Sequence, residues 1–273
     1  MSDVSDVRRM LEADVLTLGM AADEARRAVM GTNVVTYLRV HVVRPADLAS
    51  ALVIPEQASE VRLHEAPESL DDALAQVRAL AQAAGSRRVA AFSMADIESR
   101  GWASSDVLEA MAARGLMDVA ELPVDQVADL PRAIAALRQA GIDPWRITTA
   151  YPVGDRKIEI IDRVKAAIAE HPSIRRYAPL PRVAPIDKPT TGYDDVRMVA
   201  LARLALGAIS IEVDWTLYGP KLAQVALTFG ADHLDGVSAE NDTSMGPRRG
   251  TVEDVERNIR TAGFEPKEDR FLA

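Results

Sequence analysis

Cysteine is absent from all 273 residues of this chain. That excludes disulfides, thiolate nucleophiles, and zinc sites or iron–sulfur clusters held by cysteine. No stretch approaches 18 uninterrupted apolar residues, so no membrane-spanning helix is expected. The opening thirty residues lack an apolar signal-peptide core, and a soluble cytoplasmic protein is the expectation. Positive charge is short as well: 41 acidic residues against 32 lysines and arginines leave a formal charge of −9. With no basic patch, such a field repels phosphate backbones, and neither nucleic acid nor a membrane is an expected partner. Also missing are G-x-S-x-G, P-loop and G-x-G-x-x-G patterns, any low-complexity linker, and any short internal repeat.

What is present is a regular alternation. The chain is 48% hydrophobic, enough for a sizeable core. Asp3 to about Met30 has apolar residues at helical spacing. After it, β-rich runs fall at 34–40, 60–64, 88–93, 117–121, 146–151, 174–180, 209–215 and 231–236. Helical stretches separate them at about 69–84, 104–115, 126–140, 155–170, 193–206, 219–228 and 250–262. Ser69, Ser104 and Gly141 sit where helix caps belong. Eight strands, nearly all followed by a helix, predict an α/β fold: a (β/α)8 TIM-type barrel. Residues 1–273 read as one domain, with 1–30 as an N-terminal helical extension. The first crossover, 44–59, is short and bounded by prolines.

In such a barrel, function belongs at the carboxyl ends of the strands. The polar residues falling there are Arg39, His41, His64, Glu65, Ser93, Asp96, Glu98 and Glu121, then Tyr151, Asp155, Arg182, Asp214, Trp215 and Asp235.

Several blocks resemble one known group. They are Asp14 to Arg27 (DVLTLGMAADEARR), 33–37 (NVVTY), 89–98 (VAAFSMADIE), 191–197 (TGYDDVR), and 215–236 (WTLYGPKLAQVALTFGADHLDG) closing at Glu240. Together they are similar to the radical S-adenosylmethionine subfamily of aminofutalosine synthase, dehypoxanthinyl futalosine cyclase and the deazaflavin-forming FO synthase. The 215–236 block looks closest to aminofutalosine synthase. The resemblance implies a radical-enzyme barrel and a place in the futalosine route to menaquinone.

The chain departs from that group where its chemistry sits. The group places three cysteines after the first strand to hold a 4Fe-4S cluster; here residues 41–50 read HVVRPADLAS. A Gly-Gly turn that approaches S-adenosylmethionine after the second strand is replaced by 64–69, HEAPES, without glycine. A histidine after the fifth strand is replaced by Asp155. Radical catalysis by this chain alone is therefore excluded, no cofactor is expected, and S-adenosylmethionine binding is doubtful. Three readings follow. The first is a pseudoenzyme, either a non-radical partner of a cluster-bearing homologue or a binder of futalosine-type nucleosides. The second is a cluster-free barrel enzyme doing acid/base chemistry on a related small molecule. The third is a family member whose role the resemblance does not define.

The site candidates divide by chemistry. Arg182, Trp215, Lys221, Asp235 and Glu240 are the ligand-binding set, with Arg182 favoured because arginine pairs bidentately with carboxylate or phosphate, as the arginine-rich run 174–177 (IRRY) near it also could. The 215–236 block also has a purely structural reading, in which Gly219 and Pro220 start a helix and Gly230 ends it. Asp96, Glu98 and Glu121 are the acid/base candidates, although acids also simply favour helix starts. His41, His64 and Glu65 are a weak metal set for the space the cluster would leave. The run 245–250 (MGPRRG) resembles a phosphate loop loosely and reads better as a surface turn.

Overall fold

The structure is a computed structural model that describes residues 10, 12–49, 52–183, 190–240 and 251–270. Helix α1, Val15–Met30, starts at Asp14, whose carboxylate accepts hydrogen bonds from the N–H groups of Leu16 and Thr17. Asp14 is extended, so the helix expected from Asp3 onward is interrupted there. Residues 1–9 and 11 lie outside the described residues.

The chain then alternates as its periodicity predicts. Strand β1 (Val34–Val43) passes through a 3-10 turn at Pro45–Ala49 to β2 (Glu60–Leu63), α2 (Leu70–Ala84) and β3 (Arg88–Ala91). Helices α3 (Met94–Ser99), α4 (Ser105–Ala112) and α5 (Leu130–Gln139) follow, then β4 (Arg146–Thr149) and α6 (Lys157–Glu170). The second half holds β5 (Arg176–Pro181), α7 (Gly192–Leu206), β6 (Ser210–Asp214) and α8 (Trp215–Thr228). It ends with β7 (His233–Ser238), α9 (Val252–Thr261) and β8 (Glu265–Asp269). Ser69 caps α2 and Thr251 caps α9 through side-chain bonds, whereas Ser104 sits at the start of α4 without one.

Every ladder is parallel, in the order β3-β2-β1-β7-β6-β5-β4. The expected fourth strand is not a strand. Residues 118–123 touch β3 through Ala90 and its neighbour Ser93, and touch β4 through Pro123 and Thr148, each as an isolated bridge. Pro123 has no N–H to continue a ladder. One strand was not expected: β8 lies along β1 from Val34 to Leu38. Its sequence, EPKED, carries no apolar alternation because none of its residues is fully buried.

Alternation along the strands sorts side chains onto two faces. On the outer face Val61, Leu63, Val89, Ile147, Ile211, Val213 and Leu234 pack under the helices as one apolar core. The inner face carries a small separate cluster, Leu38, Val40 and Trp145, and otherwise charge. Helix α8 is kinked where Gly219 (φ 70°, ψ 175°) takes a conformation open only to glycine, followed by Pro220. Among the described residues, no helix is long and apolar enough to cross a membrane.

Candidate functional site

The inner face is built from strands with an ionisable residue at every second position. In β2 these are Glu60 and Arg62, in β6 Glu212 and Asp214, and in β7 His233 and Asp235; Arg146 opens β4, and Arg176 and Arg182 bracket β5. The helices cover the outer face, so the polar half of each strand can meet only the polar halves of the others. It does so as a continuous network. Arg62 grips Asp235 with two bonds, 2.8 and 3.0 Å, and donates to Glu60 at 2.6 Å. Arg146 lies 3.1 Å from Asp235, 3.6 Å from Glu212 and 3.7 Å from Glu60. Arg182 donates to Asp214 at 2.5 Å, Glu212 at 2.8 Å and Asp235 at 3.3 Å, and its Nε lies 3.5 Å from Glu121. At the other end Arg176 pairs with Asp269 of β8 and donates to His233 Nε2 at 2.5 Å. That leaves the His233 proton on Nδ1, 2.7 Å from the Thr36 hydroxyl.

The floor is Trp145, with the guanidinium of Arg176 4.3 Å from its ring centre and those of Arg88 and Arg146 at 5.5 and 5.7 Å. Arg62, Arg146, Arg176 and Arg182 thus face Glu60, Glu121, Glu212, Asp214, Asp235 and Asp269. Burial pushes the Asp235 carboxyl up, but Arg146 and Arg62 outweigh it and hold the group well below the usual range. For Glu212 burial wins, reinforced by neighbouring Asp235, and its pKa rises. His233 is held neutral by burial and by Arg176. The arrangement neutralises and rigidifies the interior. Arg62, Arg176 and Arg182 are hydrogen-bonded to the chain's own carboxylates, and Arg146 lies among them, donating to the Ala120 carbonyl.

The sequence candidates are dispersed by this geometry. Arg182 and Asp235 meet inside the network, joined by Glu121 and, 3.9 Å from Glu121, the exposed His64. Trp215 is buried at the start of α8, directly after Asp214. Lys221 is exposed on α8, and Glu240 is exposed 3.8 Å from His41, so neither reaches Arg182. The three acids do not form an acid/base set. Asp96 pairs with Arg100 at 3.2 Å, Glu98 accepts from the Ala128 backbone, and Glu121 belongs to Arg182. Asp155 sits in a short turn at Gly154–Arg156, outside the network. The phosphate-loop candidate, 245–250, lies outside the described residues.

His41, His64 and Glu65 do not converge either. His41 stands opposite Val61 in the β1–β2 ladder, three positions from His64, so the pleat sends the two rings to opposite faces. Among the described residues, Glu212, His233 and Asp235 are the three metal-ligating side chains whose donor atoms all fall within 4.8 Å. Arg176 occupies His233 Nε2, and Arg62, Arg146 and Arg182 occupy Asp235, so two of the three ligands are engaged, while Glu212 Oε2 accepts no hydrogen bond from the described residues. A 4Fe-4S cluster does not fit this chain: the segment after β1 offers Arg44 and Asp47, paired with each other, and no thiolate. Sequence reasoning missed Glu60, Arg62, Arg146, Glu212 and His233, whereas Arg176 lies in the arginine-rich 174–177 run singled out beside Arg182. The usable signal for the missed residues was their alternation with apolar residues in strands that are buried on both faces.

Comparison with known proteins adds a family. Residues 171–270 match the model described as the CofH/MqnC C-terminal region. A 5-amino-6-(D-ribitylamino)uracil--L-tyrosine 4-hydroxyphenyl transferase of Archaeoglobus fulgidus is 27% identical over 198 residues, 62% of this chain and 58% of that protein. Transferase 1 of the same name from Methanosarcina barkeri is 32% identical over 169 residues, 54% of this chain and 44% of the relative. Aminodeoxyfutalosine synthase of Streptomyces coelicolor is 34% identical over 85 residues, 29% and 22% of the two chains. The chain thus spans less than two thirds of the length of each of these relatives. Among solved structures, methylornithine synthase superposes with a TM-score of 0.67 at 13% identity, over 97% of this chain and 94% of that one. The FeFe-hydrogenase maturase HydG from Carboxydothermus hydrogenoformans gives 0.62 at 13% identity, over 97% and 78%. At such identities the likeness concerns the fold alone.

Proposed function

Because this chain belongs to the radical S-adenosylmethionine subfamily of aminofutalosine synthase and the CofH/MqnC proteins, yet carries no cysteine, we propose that it serves as a non-radical partner subunit. Its partner would be a cluster-bearing homologue in the futalosine route to menaquinone. One observation carries this reading: the interior of the sheet is occupied by the chain's own arginine–carboxylate network. A radical enzyme needs that space for its cofactor and substrate. A protein retained for its surface does not. The acid/base reading has less support, because Asp96, Glu98 and Glu121 each engage a different partner.

The test is to mix the purified chain with a cysteine-bearing relative from the same genome and read complex formation by light scattering and turnover by product assay. A stable complex and a changed turnover are expected. The absence of both at micromolar concentrations would end the proposal. A thermal-shift arm separates the nucleoside-binding alternative. A futalosine-type nucleoside at 100 times its dissociation constant would add about 2.7 kcal/mol, or roughly 5–10 °C for a domain of this size. A rise of that size would move the function from docking to ligand binding.

A further inference from the structure

A cavity of about 260 Å³ lies beside the carboxyl end of β5, and none of the network arginines or carboxylates lines it. It is enclosed by the connection between β4 and α6, by the last residues of β5, and by the first turns of α7. A water needs on the order of 15 Å³, so the space suits a small molecule rather than one or two waters. Its walls are apolar where Pro152, Val153, Pro181 and Met198 approach, and acidic at Asp155, Asp194 and Asp195.

The three aspartates are not equivalent. Asp155 and Asp194 are exposed, and Asp194 accepts a bond from the Thr191 hydroxyl at 2.9 Å as part of the α7 cap. Asp195 is only 6% exposed. Its side chain accepts a hydrogen bond from Thr190, and the charge acting on it is the like-signed Asp194; no cation among the described residues faces it. Burial raises its pKa, as expected of a carboxyl short of a positive partner. Lys157, the one cation of the lining, is turned to the Gly154 carbonyl, to which its Nζ donates at 2.8 Å. A buried carboxylate without a cation is costly, and a positive ligand relieves that cost.

We propose that this cavity binds a small organic cation, a primary ammonium or amidinium on a short apolar body, with Asp195 as its counter-ion. An inorganic ion fits less well. The donor atoms of the three aspartates do not gather within 4.8 Å as the inner-face trio does. An anion would meet three carboxylates. An alkyl ammonium instead lays its chain on the proline and methionine walls and its charge at the acidic end.

The experiment is an NMR titration of the whole chain with n-pentylammonium, against n-pentanol and pentanoate as neutral and anionic controls of the same length. Saturable binding of the ammonium at millimolar concentration is expected, with shifts gathered at residues 152–157 and 190–198, and no saturation by either control. Asp195→Asn should weaken binding roughly tenfold or more, the scale of one charge-assisted hydrogen bond. Met198→Trp, which keeps Asp195 and fills the cavity, should abolish it; near-UV circular dichroism checks that both variants fold. Equal binding of pentanol, no binding of the ammonium, or unchanged affinity in a folded variant would overturn the proposal. Such a result leaves the docking reading untouched, because the cavity shares no residue with the network on which that reading rests.

Discussion

Arg62 sums up the residue scale. It is 2% exposed, and both of its acidic partners, Glu60 and Asp235, are fully buried. A buried ion pair adds little net stability over an apolar pair, but removing one member leaves a charge in a medium that cannot solvate it. Arg62→Met should therefore cost about 3–5 kcal/mol in urea unfolding. A loss below about 1 kcal/mol would mean that water reaches the interior and screens the pair. The sequence exposes only part of this. Arg182 and Asp235 stand out as polar residues at strand ends, and both are in the network. Their partners do not stand out, because Arg62 and Asp235 are 173 positions apart and no local pattern couples them. Lys221 and Glu240 were conspicuous for their place in a family-like block, yet a helix surface and a strand end carry them away from Arg182.

At the scale of elements, period and caps are enough to place most strands and helices. Alternating apolar residues under β-branched runs define β1 to β7, and Ser69 defines the start of α2 to within a residue, whereas the cap at Asp14 was passed over for a start at Asp3. The misses have physical causes. The 117–121 segment looked like a strand from its β-rich composition, but it forms isolated bridges, and Pro123 just beyond it denies the segment a ladder. β8 is invisible to periodicity because backbone pairing with β1, not burial, holds it. One turn ties element to site. Asp214 caps α8 through Leu217 N–H while holding Arg182, and the positive φ of Gly236 (67°) sits against it. A Cβ at Gly236 would lie 3.1 Å from both Asp214 oxygens. Gly236→Ala should cost about 1–3 kcal/mol through strain and loss of the cap together. Thermal unfolding reads the cost, and an unchanged midpoint would show that Asp214 can move freely.

The whole molecule responds to pH through its buried acids. Asp118 is buried beside Arg88, and burial outweighs that arginine and raises its pKa to about 7. A carboxyl raised in the folded state holds its proton where the unfolded chain has lost it. Its contribution is complete below the unfolded value near 4 and is lost as pH rises to about 7. Across that window the wild type should lose stability relative to Asp118→Asn, and above it the difference should level off. Urea midpoints of the two proteins at four pH values test this; a constant difference would place the Asp118 proton elsewhere. Fold and family are legible at this scale because they rest on many weak signals summed along the chain. The interior is not, since it depends on which strands finally face one another.

The network also bears on redesign. Four arginines hold the inner face, each anchored by carboxylates of other strands. Placing three cysteines after β1 would supply thiolates without emptying the space beside them. Each single step toward emptying it exposes a buried carboxylate and weakens the fold before any new chemistry can repay the loss. Opening this inner face into a cofactor pocket would therefore require several coordinated substitutions at once.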